Sequence, residues 1–309
     1  MKILLDLFEE WDICKVKSIT QCSISKPKGG KITILIVYVD DIIVTRSDVA
    51  ETNKLKESLA CEFEIQKIKN KINKIKLGNL RFFLNIEVVR SRQGIFLSQR
   101  KYTLDLLKET RMLGCKLSDT PIDTNHKLGV NIECKVANKE NYQKMVGKLI
   151  YLSHTRLNIA FAIGVVNQFM HSPNKNHMNA VFRIWKYQKE TPGKGLLFSK
   201  IDMLEIEVYT VASWASSIRD HRFRFGHCTF LGGNLVKWRT KKQSIVARSS
   251  TEAKFNSLAL GICELIWPKS LMQELKIANN HPMVLYCHNK AAINIAHNQF
   301  NMTKPRMWR

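Results

Sequence analysis

Hydrophobic residues near the start of the chain form two short runs that a pair of aspartates separates. The runs lie in residues 31–46, KITILIVYVDDIIVTR, and Asp40 and Asp41 stand between them. Apolar runs of this length with polar residues at their boundaries are typical of two β-strands joined by a tight turn. The pattern therefore predicts a β-hairpin that carries two carboxylates at its tip.

The middle of the chain changes between strand-like and helical periodicity. Residues 80–98 predict a second hairpin with its turn at SRQG, residues 99–113 predict a helix, and residues 116–140 lack periodicity and predict a linker. Two further helices fit residues 143–170 and 177–190, and a Thr-Pro-Gly stop signal follows the second. This part of the chain is therefore predicted to be mainly helical after one hairpin.

The last third of the chain is predicted to contain three strands, a long helix, a fourth strand and a final helix. These elements fall near residues 205–211, 223–231, 234–238, 251–275, 283–287 and from about 289. Three strands followed by a helix and a further strand favour a mixed sheet, so the predicted fold class is α/β in the broad sense that includes α+β. Trp214, Trp238 and Trp267 occur in apolar runs and are predicted to lie in the core.

Charge is the feature of the composition that bears most on function. The 309 residues include 49 Lys and Arg against 26 Asp and Glu, which gives a formal net charge of +23. A polyanion suits such a chain, because each neutralised phosphate releases counterions. Random loss of acidic residues and gain of lysines would produce the same balance, and the charge by itself does not separate the two explanations.

Membrane insertion and secretion do not fit the pattern. No apolar run reaches the ~18 residues that span a bilayer. The first residues, MKILLDLFEEWD, place acidic side chains inside the apolar stretch near the start, which argues against a secretory signal. The eight cysteines are scattered without a CxxC pair, as expected of reduced thiols. We therefore expect a cytoplasmic or nuclear protein without a membrane partner.

The adjacent carboxylates of Asp40 and Asp41 suggest chemistry with metal ions. Two such groups at a hairpin tip repel each other unless a divalent cation lies nearby. Polymerases use carboxylates of this kind to hold two metal ions, which align the attacking hydroxyl group and stabilise the leaving oxygen. An exposed Asp-Asp turn without a metal is the alternative, and the apolar strands on both sides favour the metal site.

Two other sets of residues are candidates for function. A basic cluster lies between a predicted strand and the long helix: Lys237, Arg239, Lys241, Lys242 and Arg248. It is either a contact surface for a nucleic-acid backbone or a solvated loop. Ser249 and Ser250 precede the long helix without a G-x-S-x-G elbow, so a helix N-cap is preferred over a nucleophile.

The Tyr38-Val39-Asp40-Asp41 hairpin resembles the reverse transcriptase of copia-type retrotransposons. The resemblance continues in the same order through much of the remaining chain, in LRFFLNIEVV, GKLIYLSHTRLNIAFAIGVV, SWASS, SSTEAKF and LYCHNKAAINIA. It implies a reverse transcriptase palm and thumb remnant at 1–115, a linker and helical connection at 116–200, and a ribonuclease H-like domain at 201–309. Mg²⁺ is the family's cofactor, an RNA–DNA hybrid is the implied partner, and no small-molecule substrate is expected.

The chain departs from the family pattern at the positions that hold metal. The resemblance assigns three ribonuclease H acids to the positions of Val211, Lys254 and His288. Glu252 is two residues from Lys254 and would project toward another face of the helix. The resemblance implies a third metal-binding Asp on an earlier strand, but the acids that precede Asp40 fall in a helix-like segment. Asp40 and Asp41 are therefore expected to bind metal weakly at best. We therefore expect no ribonuclease H activity and no productively bound Mg²⁺.

Three functional hypotheses remain open at the level of sequence. The first is a catalytically inactive remnant of a retrotransposon polymerase and ribonuclease H, truncated at both ends. The second is a basic protein that binds nucleic acid, such as an RNA–DNA hybrid, without catalysis. The third is a reverse transcriptase subunit that is active only together with a complementing chain.

Overall fold

A computed structural model describes most of the chain after residue 79. It covers residues 80–123, 128, 135–201, 203–214, 221–274 and 282–298, together with the backbone of four strands before residue 46. The chain divides into two compact units, one with residues 1–79 and 266–280 and the other with residues 80–265 and 281–309. These units group segments by contact, so the predicted division into three functional domains stays a prediction.

The four early strands of the first unit form an antiparallel meander. They are β1 (Ile13–Lys15), β2 (Cys22–Ser25), β3 (Thr33–Tyr38) and β4 (Asp41–Thr45), paired in that order. Tyr38 pairs with Asp41, so the connection between β3 and β4 has two residues, as in a tight hairpin. The predicted first hairpin is confirmed, and its turn residues Val39 and Asp40 lie outside the described residues.

The second unit begins with a small antiparallel sheet that joins distant parts of the chain. Its strands are β5 (Phe82–Phe83), β6 (Ile86–Arg90), β7 (Gly94–Ser98) and β8 (Gly195–Ser199). The predicted hairpin at 80–98 is confirmed by β6 and β7. The sequence did not indicate β8, which pairs with β7 after four intervening helices.

Those four helices enclose the main hydrophobic core. They are α1 (Arg100–Glu109), α2 (Lys139–Leu152), α3 (Leu157–Val166) and α4 (Lys175–Glu190), with a 3₁₀ turn at Asn167–Phe169. The core contains fully buried Trp185, Tyr142, Leu149, Ile159 and Ile184. Each helix contributes an apolar face, so helix packing rather than local propensity holds this region together.

The prediction of one helix over residues 143–170 was wrong, because the chain turns between α2 and α3. Ser153 ends α2, and its hydroxyl donates to the carbonyl oxygen of Ile150 at 2.6 Å. Thr155 donates to the side chain of Gln99 at 2.8 Å, and the buried Arg156 donates to Thr191. These contacts with distant residues replace the helical pattern, and the apolar periodicity that continues across the turn conceals it.

The predicted linker is in contact with α4 at Thr120 and Asp123, and so is Cys115 directly before it. Arg183 forms an ion pair with Asp123 at 3.0 Å and donates to the hydroxyl group of Thr120 at 2.8 Å. Lys189 donates to the carbonyl oxygen of Cys115 at 2.7 Å. Lack of periodicity was therefore a correct indication of irregular structure at residues 116–123, although these polar contacts hold the segment against the helix, whereas residues 139–140 already belong to α2.

A mixed four-stranded sheet and two helices form the last part of the second unit, and the end of the longer helix, from Ile266, belongs to the first unit. Its elements are β9 (Ile206–Ser213), β10 (Arg224–Leu231), β11 (Asn234–Lys242), α5 (Ser250–Glu274), β12 (Val284–Tyr286) and α6 (Lys290–His297). The strand order is β11-β10-β9-β12, with antiparallel pairs except for the parallel pair of β12 and β9. The predicted mixed sheet and the α/β class are confirmed. None of the described helices is long and apolar enough to cross a membrane.

The prediction that three tryptophans lie in the core was wrong for two of them. Trp214 is 49% exposed and Trp267 is 38% exposed, whereas Trp238 is partly buried. Trp214 follows the end of β9, beyond the paired part of the sheet, and its indole N–H donates to the carbonyl oxygen of Ala247 at 2.8 Å. An apolar run in sequence does not reveal where the sheet ends.

Candidate functional site

The two predicted polymerase acids are described only in part. Asp41 is the first residue of β4, directly across from Tyr38 in the hairpin. Asp40 lies outside the described residues, and so does the side chain of Asp41. The hairpin therefore supplies the backbone that the hypothesis requires, and metal binding by the two acids stays a prediction.

Two of the three positions assigned to lost acids lie at the same end of the mixed sheet. Strands β9 and β12 are parallel, and Tyr209 pairs with Tyr286. Val211 and His288 each follow two residues after one of these tyrosines. Because these two strands run in the same direction, both residues lie toward the carboxyl ends of β9 and β12, at the same edge of the sheet. Val211 is 53% exposed, and His288 is also exposed.

The third position, Lys254, lies at the start of α5 near the same end. Its neighbour Ala253 is fully buried in a cluster with Ala212 of β9 and Phe225 of β10. The first turns of α5 therefore lie over the carboxyl end of β9. Alternation along β9 turns Val211 toward the face opposite to Ala212, so the sheet separates its side chain from the helix side. The structure brings the three positions to one end of the sheet but not to one face.

Glu252 has a structural role that separates it from any metal site. The hydroxyl oxygen of Ser249 accepts the backbone N–H of Glu252 at 3.1 Å, and the Glu252 carboxylate accepts the backbone N–H of Arg248 at 2.8 Å. This reciprocal arrangement resembles a capping box at the N-terminus of α5. It confirms the predicted capping role for Ser249. It also engages the carboxylate of Glu252, which is the acid that remains in the SSTEAKF segment.

These residues do not fit Mg²⁺. This hard cation takes oxygen ligands, usually one or two carboxylates together with waters. Val211 has no donor atom, Lys254 carries a positive charge, and His288 offers nitrogen. In the part of the chain that the structure describes, no three His, Cys, Asp or Glu side chains converge as a metal site.

An aromatic pair lies on the same face as Val211. The rings of Tyr209 and Tyr286 stack at a centroid distance of 4.5 Å with an interplanar angle of 15°. The hydroxyl group of Tyr286 donates to the carboxylate of Glu207 at 3.3 Å, and this carboxylate raises the pKa of Tyr286. The face next to the candidate site is therefore aromatic with an acidic border, which sequence analysis did not indicate.

The predicted basic cluster is divided by the geometry of β11. Lys237, Arg239 and Lys241 alternate along one face of the strand, Lys242 lies on the opposite face, and Arg248 is in the loop before α5. The ammonium group of Lys237 is in direct contact with the Glu264 carboxylate of α5. Arg239 and Lys241 are exposed and remain the best-placed members of the cluster for contact with a ligand.

A buried histidine beneath α5 was also missed. The His227 side chain is fully buried, and its Nε2 atom lies 3.5 Å from the Glu264 carboxylate. Burial lowers the pKa of His227, although Glu264 opposes that shift. The sequence contained no signal for this contact, because His227 lies on β10 and Glu264 lies on α5, far apart along the chain. The contact lies between α5 and the sheet rather than in an open site.

Comparison with known proteins agrees with the hairpin and the order of the motifs. A family model described as reverse transcriptase (RNA-dependent DNA polymerase) matches residues 14–124. The Pol polyprotein of transposon RE2 from Arabidopsis thaliana is 37% identical over 271 residues, which is 88% of this chain and 18% of that protein. The Pol polyprotein of transposon RE1 from the same plant is 35% identical over 284 residues, which is 92% of this chain and 19% of that protein.

A shorter relative is covered almost completely. An uncharacterized mitochondrial protein of Arabidopsis thaliana, AtMg00810, is 34% identical over 233 residues, which is 75% of this chain and 93% of that protein. No solved structure matches the chain. The fold and the matches define a protein with a reverse transcriptase-type region. The chain belongs to the Pol polyprotein family of copia-type retrotransposons, and it spans about a fifth of the length of the RE1 and RE2 polyproteins.

Proposed function

We propose that this chain is a catalytically inactive Pol segment, and that its mixed-sheet region is a ribonuclease H-like fold unable to hydrolyse RNA. The fold part of the proposal is supported by three antiparallel strands followed by a helix and a parallel fourth strand. The observation that carries the proposal of inactivity is the presence of Val211, Lys254 and His288 at the positions that the family resemblance assigns to metal-binding acids.

Electrostatics gives the reason for inactivity. Two unit charges about 4 Å apart interact by about 4 kcal/mol at an effective dielectric constant near 20, and a divalent cation doubles that energy. A carboxylate at position 254 would attract Mg²⁺ by this mechanism, whereas the Lys254 ammonium group repels it. The side chain of Val211 supplies no compensating ligand. Replacement of the family's acids by Val211 and Lys254 therefore removes the negative charge that binds metal ions in a two-metal nuclease.

The direct test is hydrolysis of the RNA strand of an RNA–DNA hybrid by the purified full chain with Mg²⁺ or Mn²⁺. We expect no cleavage above a protein-free blank. The double variant Val211→Asp, His288→Asp places two carboxylates after the paired residues Tyr209 and Tyr286 of adjacent strands. It is expected to bind Mg²⁺ at least about tenfold more tightly than the unaltered chain by calorimetry, a difference of about 1.4 kcal/mol.

The matched control for the double variant is Val211→Asn, His288→Asn, which places similar shapes at the same positions without negative charge. It should bind Mg²⁺ as weakly as the unaltered chain. Metal-dependent cleavage by the unaltered chain would overturn the proposed inactivity. Equal Mg²⁺ affinity of the acidic double variant and its amide control would show that these two positions do not form a metal site.

A second candidate function is binding of an RNA–DNA hybrid without catalysis. The exposed side chains of Arg239 and Lys241 on one face of β11 favour it, as does the net charge of +23. Phosphate contacts from such residues supply affinity without base recognition. This candidate does not depend on the lost acids, so both proposals are compatible in one protein.

A further inference from the structure

Three aromatic rings form a row across one face of the mixed sheet. They come from adjacent strands, with Phe230 on β10, Tyr209 on β9 and Tyr286 on β12. The Phe230 ring meets Tyr209 edge-on at a centroid distance of 5.5 Å, and Tyr209 stacks on Tyr286 at 4.5 Å. Because β12 is the outer strand of the described sheet, the side of the Tyr286 ring opposite Tyr209 points away from β9. We call these three residues the aromatic row.

The aromatic row is open to solvent, although another part of the same face is covered. Helix α3 lies against the β10–β11 side, where an added Cβ at Gly164 would be 3.6 Å from the Arg224 guanidinium group and from the carbonyl oxygen of Thr240. Tyr209 is 45% exposed and Tyr286 is 41% exposed. Two stacked rings with this exposure form an apolar surface that a planar or cationic group can cover.

Two glutamates border the aromatic row. Glu207 is two residues before Tyr209 on β9, so both side chains project from the same face. The hydroxyl group of Tyr286 donates to the Glu207 carboxylate at 3.3 Å, and Glu205 is exposed just before the strand. The negative charge of Glu207, with a smaller contribution from Glu205, raises the pKa of Tyr286. Negative charge is therefore concentrated beside the stacked rings.

Neither glutamate forms an ion pair within the part of the chain that the structure describes, although the chain has 49 Lys and Arg against 26 Asp and Glu. Other glutamates do have such partners. Glu109 pairs with Lys144 and Lys148. Glu264 pairs with Lys237. An aromatic patch with unpaired acids is complementary to a cationic group that also presents an apolar surface.

We propose that the aromatic row and Glu207 form a docking site for an arginine side chain from a basic peptide segment of a partner protein. A guanidinium group is planar, so it stacks on the open side of the Tyr286 ring and donates to a carboxylate in the same plane. The Glu207 carboxylate lies at the hydroxyl edge of that ring, so one guanidinium group can make both contacts. The site uses none of the three lost acid positions and is therefore independent of the proposed inactivity.

Fluorine NMR of the full chain labelled with 3-fluorotyrosine tests the proposal, because the chain has only seven tyrosines. The probe is an acetylated Arg-Gly-Arg-Gly-Arg peptide, and its lysine counterpart is compared with it. We expect the arginine peptide to shift the signals of Tyr209 and Tyr286, and to bind about threefold more tightly than the lysine peptide. Tyr209→Phe and Tyr286→Phe assign the two signals. The signal of Tyr142, which is fully buried among the helices, should not move.

Glu207→Gln keeps the shape of the side chain and removes its charge, so it is expected to weaken binding of the arginine peptide about threefold. Glu190→Gln is the matched control, because it removes the same charge from an exposed position at the end of α4 and should leave the affinity unchanged. Tyr286→Leu removes the ring and should weaken binding by a similar factor. An unchanged Tyr142 signal shows that each variant is still folded.

Equal affinity of Glu207→Gln and the unaltered chain for the arginine peptide would overturn the proposal. The absence of any shift at Tyr209 and Tyr286 would do so as well, and so would equal affinity for the arginine and lysine peptides. Nucleic acid is the competing occupant. If an RNA–DNA hybrid shifts the same two signals and Glu207→Gln strengthens that binding, the aromatic row is a surface for nucleobases and the proposal is wrong.

Discussion

At the residue scale, His177 depends on one protonation state. Its Nδ1 atom accepts the backbone N–H of Asn174 at 3.1 Å, and its Nε2 atom lies 3.0 Å from the carbonyl oxygen of Leu128. The ring also stacks on Phe169 at 3.8 Å. These contacts require a neutral ring with its proton on Nε2. Burial lowers the pKa of His177, which agrees with that state.

We predict that His177 makes the folded chain less stable in acid. Its ordinary pKa is 6.5 and its folded pKa is lower, so the unfolded chain binds the proton first as the pH falls. The stability that His177 contributes is therefore fully present above pH 6.5 and is lost as pH falls toward the folded pKa. Urea unfolding of the chain between about pH 8 and 5 measures this loss.

His177→Gln supplies the comparison, because glutamine can form the same capping box and does not titrate in this range. The stability difference between the two proteins should change with pH, by about 1 kcal/mol if the cap is lost. A difference that is constant over the whole pH range would contradict the prediction.

At the element scale, the pairing of β7 with β8 depends on close backbone contact at two glycines. An added Cβ at Gly195 would lie 2.1 Å from the carbonyl oxygen of Leu97, and one at Gly94 would lie 2.0 Å from that of Phe198. Both neighbours are backbone atoms of the partner strand, so they cannot move away without breaking the ladder. The pairing that closes this sheet therefore requires glycine at both positions.

Gly195→Ala is expected to destabilise the chain by about 1–3 kcal/mol, because the methyl group overlaps the partner strand. Gly147→Ala is the matched control, since Gly147 lies within α2 and an added Cβ meets nothing within 4 Å. Alanine there should stabilise the helix by about 0.5–1 kcal/mol. Chemical denaturation of both variants measures the two effects. Unchanged stability of Gly195→Ala would show that β7 and β8 do not pair as described.

At the scale of the whole molecule, charge is the property most relevant to binding. The chain carries +23, which is a large excess for 309 residues. Long-range attraction of this kind acts on phosphate backbones and depends strongly on salt. The acidic border beside Tyr286 makes the tyrosine face a poor phosphate contact. Binding is therefore expected to involve the β11 face that carries Arg239 and Lys241.

We predict that the logarithm of hybrid affinity falls linearly with the logarithm of salt concentration. Each phosphate contact contributes a slope of about −0.9, so Arg239→Gln with Lys241→Gln should make the slope about 2 units less steep. Lys108→Gln with Lys139→Gln removes the same charge from exposed helical positions and is expected to change the slope less. Fluorescence anisotropy with a labelled hybrid measures the slope. A slope near zero for the unaltered chain would rule out the second candidate function.

The sequence by itself determined the features that depend on short stretches of chain. The β3–β4 hairpin, the hairpin at residues 80–98 and the elements of the mixed sheet follow from local alternation of apolar and polar residues. The identities of Val211, Lys254 and His288 are likewise properties of the chain, and the family that they depart from was confirmed by its relatives. No tertiary contact was needed for these conclusions.

Only the tertiary structure decided which distant segments meet. It paired β7 with β8, turned the chain at Ser153 and left Trp214 exposed. It also showed that the three acid positions share one end of the sheet while Val211 faces away from α5. These features depend on contacts between residues far apart in the chain, and a pattern within one element contains no information about the partner that will cover it.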